Sequence, residues 1–339
     1  MIRNPVPWPD GAKCAACFTL DMDAESLLYL AHPQRAHSMV SPASMLRYGP
    51  DVAVPRILDT YRHYGIRQTF YVPGWCAERY PYAVESMVRE GHEVGGHGYL
   101  HEHPNEQSDA DERYWLRRSL AAVRQVTGEP AVGWRAPLYK FSHRSAELLL
   151  EEGIVYDASL MGDDVPYVID TPRGTLLELP SHWGMDDWPP FMHVSELEFE
   201  MPIQSAAHAW ENWWEEFEAM WEFGGLWVPV WHPFLSGRLA RWRHTHRMIG
   251  KMLDKGRVWF APMREIAAHV RGCMANGSWS PRTAPAPAPA PAPAPGPGPE
   301  PAAAPARAAA AAAAAAASAS ASASASASAS AASSRDSRP

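Results

Sequence analysis

The chain has 339 residues, 46% hydrophobic and 20% charged, with a formal net charge of −8. An acidic chain offers no basic stripe to displace counterions from phosphates, which argues against nucleic acid and anionic membrane surfaces as partners. No apolar run approaches the roughly 18 residues of a spanning helix.

The start, Met1 to Asp10, has prolines where a signal peptide needs a basic start and an apolar stretch, which predicts a cytoplasmic protein. The four cysteines, Cys14, Cys17, Cys76 and Cys273, form no dense framework, so disulfides are not expected. Length and composition predict one α/β domain over residues 1–275. The Ala/Pro/Ser-rich residues 276–339 bury too little apolar surface to repay ordering, so a disordered tail is expected, with Ala308 to Ala317 transiently helical.

Lys13 to Leu20 reads as a buried strand that ends at Asp21-Met22-Asp23. Val54 to Tyr64 predicts a helix with Pro55 in its first turn and Gly65 as a stop; Gln68 to Val72 is the next strand. A helix over Pro81 to Arg89 and a strand over His92 to Gly96 lead into His97-Gly98-Tyr99-Leu100-His101. Then come a helix over Ala110 to Val126, a strand over Ala131 to Trp134, a helix over Ser142 to Glu152 with Ser142 as N-cap, and a strand over Ile154 to Tyr156. Leu176 to Leu179 is a strand, His182 to Trp188 a long loop, and Ala206 to Phe223 a helix stopped by Gly224-Gly225. Leu226 to Trp231 is an apolar strand ending at His232. Helices over Leu239 to Leu253 and Pro262 to Arg271 flank a last strand, Val258 to Phe260. Such alternation predicts a parallel sheet closed into a distorted barrel.

Two carboxylates and two imidazoles at strand ends suit a divalent cation. The Asp-x-Asp spacing places Asp21 and Asp23 on one side of an extended segment, and a four-residue step places His97 and His101 on one side of a helical turn. If three of the four bind metal, one carboxylate is left as a base. The glycines at 95, 96 and 98 point to backbone crowding beside the pair.

Together with Arg135-Ala136-Pro137, Asp157-Ala158-Ser159 and Trp231-His232-Pro233, these segments resemble the polysaccharide deacetylase family, the NodB-homology carbohydrate esterases, over roughly Lys13 to Arg271. The resemblance implies a NodB-type distorted (β/α) barrel and metal-dependent hydrolysis of non-peptide carbon–nitrogen bonds, as in N-deacetylation of amino sugars. It implies Asp21 as base, Asp23, His97 and His101 as metal ligands, Arg135 orienting the base, His232 protonating the leaving group, and Asp157 as a further acidic catalytic residue. Zinc is the first choice for two imidazoles and a carboxylate, although Co, Ni, Mn or Fe suit the same set.

Two departures, Met22 between the aspartates and Gly98 after the first histidine, resemble a branch that includes intracellular peptidoglycan-deacetylase-like proteins, cyclic imide hydrolases and allantoinase-like enzymes. Which aspartate is base and which is ligand stays open. So does the substrate: an acetylated saccharide, or a cyclic imide or amide. A homo-oligomer is also left open. A non-catalytic metal- or carbohydrate-binding module would be expected to lose Asp21 or His232, and neither is lost. A histidine with its pKa near the operating pH suits protonation of an amide nitrogen, and an arginine beside Asp21 would keep it ionised. The Cys14/Cys17 pair reads as two packed thiols rather than a redox or zinc motif. Trp183 and Trp188, beside Asp186 and Asp187, are candidates for a substrate wall.

Overall fold

In the computed structural model, which describes residues 1–285, the apolar run after Lys13 forms two short strands, β1 (Cys14–Ala16) and β2 (Thr19–Asp21). β3 (Thr69–Val72), β4 (Glu93–Gly96), β5 (Gly133–Trp134) and β6 (Tyr156–Asp157) follow, each after a helix as expected. β7 (Tyr167–Thr171) and β8 (Gly174–Glu178) then form an antiparallel hairpin, of which the sequence pattern showed only the second strand. A small antiparallel pair, β9 (His193–Val194) and β10 (Phe199–Glu200), precedes β11 (Leu226–Trp227), β12 (Val230–Trp231), β13 (Val258–Phe260) and β14 (Thr283–Pro285).

The main sheet runs β12-β2-β3-β4-β5-β6-β8-β7-β14, and a second runs β11-β1-β13. Apart from the β7–β8 and β9–β10 pairs, the pairings are parallel. The two sheets meet because the segment from Cys14 to Asp21 forks. Its first half lies between β11 and β13, and its second half lies between β12 and β3.

The fork has a local cause. Pro229 interrupts the strand expected over Leu226 to Trp231, since it has no N–H to give the ladder, and β11 and β12 therefore separate around it. On the facing segment, the Phe18 N–H freed by the break donates to the buried Gln68 side-chain oxygen at 2.6 Å. The far seam of the barrel closes lightly, through a lone parallel bridge between Asp186 and Val230 and a hydrogen bond from Ser181 Oγ to the Val228 carbonyl.

Helices over Val54–Tyr64, Pro81–Arg89 and Ala206–Phe223 lie where the pattern places them, with Gly65 at φ 65° ending the first. The helix expected from Ser142 starts at Ser145. Ser142 Oγ instead accepts the Arg144 and Ser145 N–H groups as a turn and donates to buried Glu112. Short helices over Ser26–Ala31, Val40–Tyr48 and Gly74–Arg79 escaped the sequence pattern. All four cysteines are buried, unpaired thiols. Among the described residues no helix is long and apolar enough to cross a membrane.

Packing continues past residue 275, where the sequence pattern ended the domain. Trp279 is 5% exposed within a core cluster, its indole N–H donating to the Asn4 carbonyl, and β14 pairs with β7. The expectations for the rest of the tail, including the Ala308 to Ala317 helix, lie outside the described residues. A chain ending at Met274 is therefore expected to be less stable than one ending at Pro285, by roughly 3 kcal/mol for the loss of a buried tryptophan. Equal denaturation midpoints for the two chains would show that Trp279 and β14 add nothing.

Candidate active site

Strand ends bring six of the seven residues singled out in the sequence to one small cavity or its immediate floor. Asp21 is the last residue of β2 and Asp23 lies two residues on, both buried. His97 follows β4, Arg135 follows β5 and His232 follows β12. Asp21, His97, His101, Arg135 and His232 line the cavity, with Ala136, Leu138, Tyr139, Trp183, Asp186, Trp188 and Val230. The empty space among these side chains, counting what is open to solvent, is about 250 Å³. A second cavity lies under Gly98 and Trp134 and gathers none of these groups apart from the shared loop.

The two histidines do not sit on a helix. Residues 97–103 are a loop in which Gly98 has φ 70° and His101 φ 73°, a left-handed turn that brings the second ring back toward the first. Glu102 braces the loop by accepting the Tyr99 and Leu100 N–H groups, each at 2.8 Å. The crowding inferred at Gly95 and Gly96 is aromatic packing: a Cβ there would stand 2.7 Å from Tyr71 and from Trp134.

Asp23 is enclosed by imidazoles. Its Oδ1 lies 3.4 Å from His97 Nε2, and its Oδ2 lies 3.5 Å from His101 Nε2 and 3.4 Å from His232 Nε2. These distances are long for hydrogen bonds, and both Asp23 oxygens and His97 Nε2 are buried without a partner. Ligand atoms about 2.1 Å from a tetrahedral zinc stand roughly 3.4 Å from one another, so the Asp23, His97 and His101 donors have the spacing of a cation site. His97 Nδ1–H donates to the Arg135 carbonyl at 2.7 Å, which turns the Nε2 lone pair toward Asp23. Burial opposes ionisation of Asp23, but His101, His232 and His97 hold it well below the usual carboxylate range. Burial takes His101 down to about 3 against the pull of Asp23.

Asp21 has a different environment. Its Oδ1 accepts Arg135 Nη1 at 2.8 Å, and its Oδ2 is 3.6 Å from His97 Nε2. Arg135 is 1% exposed, donates also to Thr19 Oγ1 and the Ala158 carbonyl, and lies over the Tyr71 ring. Its Nη2 has no partner.

Asp157 does not line the cavity. It accepts the Ser159 hydroxyl and N–H, while Ser159 Oγ accepts the Ala136 N–H, so the carboxyl fixes the segment that carries Arg135. Sequence reasoning grouped it with residues of the reaction, but the structure sets it behind them.

Asp187 makes contacts with the His232 segment that the sequence pattern did not assign. It accepts His232 Nδ1–H at 2.6 Å and the backbone N–H groups of His232 and Ser236. Burial lowers the His232 pKa, but Asp187 and Asp23 together raise it well above the ordinary value. Asp186 faces the cavity, accepting Tyr139 OH and the Trp188 N–H. Burial and neighbouring Asp187 push its carboxyl up to about 7 against the pull of His232. Leu138 and Tyr139 have φ of 49° and 56°, a strained way to present the phenol. Trp183, 43% exposed, packs edge-on against Tyr139 at the cavity mouth.

The polysaccharide deacetylase family model matches residues 45–156. A crystal structure of a Mycobacterium smegmatis protein classed with the polysaccharide deacetylases is 40% identical, with a TM-score of 0.78, over 84% of this chain and 98% of that one. The chain belongs to the polysaccharide deacetylase family. As a family member it is a hydrolase acting on carbon–nitrogen bonds. The Helicobacter pylori peptidoglycan deacetylase is 29% identical over 219 residues, 56% of this chain and 74% of its own length. The Puue allantoinase shares the fold, at 24% identity and a TM-score of 0.71, over 83% of this chain and 96% of that one.

The raised Asp186 pKa has a stability consequence. The folded state holds this proton from the ordinary carboxyl range, near 3.8, up to about 7, so the stability it confers is complete below that range and is lost as pH rises through 7. Asp186→Asn mimics the protonated form. It is expected to match the native chain at pH 4 and to exceed it at pH 8 by on the order of 3 kcal/mol, read from denaturant melts. A constant difference between the two pH values would contradict the assignment.

Proposed function

We propose that this chain is a metal-dependent amide hydrolase of the deacetylase type, with Asp23, His97 and His101 holding a divalent cation, zinc by preference. The observation that carries the reading is the contrast between adjacent carboxylates. Asp23 meets imidazoles only, with both oxygens unpartnered, whereas Asp21 is tied to Arg135. That contrast favours Asp23 as ligand and Asp21 as base. The bound cation would polarise the scissile carbonyl and acidify water beside it.

Asp21 takes the proton of the attacking water, and Arg135 holds it in place through the 2.8 Å hydrogen bond to its Oδ1. His232 gives a proton to the departing nitrogen, a poor leaving group until protonated. Asp187 sets the His232 ring orientation and favours its charged form through the Nδ1 hydrogen bond. Asp157 acts as a positioning residue through Ser159 and the Arg135 segment.

N-deacetylation of an amino sugar is the family-level substrate reading. A second reading, hydrolysis of a small cyclic imide or amide, is compatible with the narrow cavity. The space among the lining side chains beneath the Tyr139–Trp183 pair is narrow, which suits a compact ring or a single acetamido group better than a longer saccharide segment. A panel of acetylated amino-sugar oligomers, succinimide-type rings and allantoin, run on zinc-loaded protein, separates the two, and turnover of none would count against both.

His97→Ala and His101→Ala are expected to lose bound metal by elemental analysis; metal retained at full stoichiometry would reject the ligand set. Asp21→Asn is expected to keep metal while turnover drops by about 100-fold or more. Because Asp187 raises the His232 pKa, Asp187→Asn should move the alkaline limb of the kcat/KM profile to lower pH. An unmoved limb would take the proton-donor role away from His232.

A further inference from the structure

Asp186 is 3% exposed, yet among the described residues no basic side chain pairs with it directly; its hydrogen bonds come from the Tyr139 hydroxyl and the Trp188 N–H. Two accepted hydrogen bonds fill only part of a carboxyl's acceptor capacity, with or without its proton, so lone pairs stay open in a group that lines the cavity. Burying a carboxyl without a cationic partner is unfavourable unless something else occupies it. A turn-capping role would account for the Trp188 contact alone. It would account neither for Tyr139, brought in on a backbone with positive φ at two non-glycine residues, nor for the position of both side chains on the cavity wall.

The same cavity has unused donors. Arg135 Nη2 and Trp188 Nε1 are buried without partners, and both residues line it. One wall acceptor with free lone pairs, together with unpaired donors, is the complement of a ligand that carries an N–H beside carbonyl oxygen. The metal site and its base account for none of these groups.

We propose that Asp186, braced by Tyr139, is a specificity-determining residue that accepts a hydrogen bond from the N–H of the bound amide or imide. The inference rests on the hydrolase reading for its substrate class but assigns Asp186 a binding role separate from the Asp21, His232 and metal-ligand set. The Asp186–Tyr139 pair then selects substrates with a free N–H over their N-alkylated counterparts, which leave the buried carboxyl unsatisfied.

The test uses the zinc-loaded full chain with succinimide and N,N′-diacetylchitobiose, each paired with its N-methylated analogue. The native protein is expected to prefer the N–H form by about 10-fold or more in kcat/KM. Asp186→Asn and Tyr139→Phe should raise KM for the N–H form about 10-fold, change kcat less, and erase the preference. An unchanged KM and an intact preference in both variants, with native circular dichroism, would overturn the proposal and leave Asp186 a turn residue.

Ligand-observed NMR with succinimide and N-methylsuccinimide separates this from failure of the hydrolase reading. If neither parent compound is turned over, selective binding of succinimide by the native chain, lost in Asp186→Asn, still upholds the Asp186 assignment. Equal binding of the two rings by the native chain rejects it.

Discussion

Two carboxylates sit side by side at the end of β2, almost wholly withdrawn from water, and the architecture of the site follows from how differently each is compensated. Asp21 has a buried guanidinium at hydrogen-bond distance, and that guanidinium is itself held by Thr19, the Ala158 carbonyl and the face of Tyr71. Asp23 has three imidazole nitrogens at 3.4 to 3.5 Å and no hydrogen bond to either oxygen. Removing one partner from a buried charge is costly because the other is left uncompensated. The strands that deliver Arg135, His97 and His232 therefore have to arrive in register, and the parallel pairing of β12, β2, β3, β4 and β5 fixes that order.

Much of this was legible in the sequence because each group ends an apolar run. A strand buried on both faces hides its length from periodicity, yet it announces its polar end, and Asp21, His97, Arg135 and His232 all stand at such ends. The gathering of Asp23, His97 and His101 was legible because each lies on or just beyond such an end. Its geometry was not, since a four-residue step is also what a left-handed loop through Gly98 and His101 spans.

What stayed hidden depends on contacts between distant parts of the chain. Asp187 lies in a Trp-rich loop with no periodic signal and meets His232 across 45 residues. The fork near Cys17 leaves no mark in an unbroken apolar run, because periodicity records burial and not the identity of the neighbouring strand; Pro229 was the one local clue. Trp279 was lost to the tail because an isolated aromatic after a helix carries no pattern, although it packs in the core.

The lone Asp186–Val230 bridge gives the barrel an uneven perimeter. The segment around Asp186 is joined to β12 by that backbone bridge and the Ser181–Val228 hydrogen bond, and Asp186 also looks into the cavity. Local opening is easiest where backbone pairing is sparsest. Sparse backbone pairing therefore borders the cavity on the side of β12, the strand that also delivers His232.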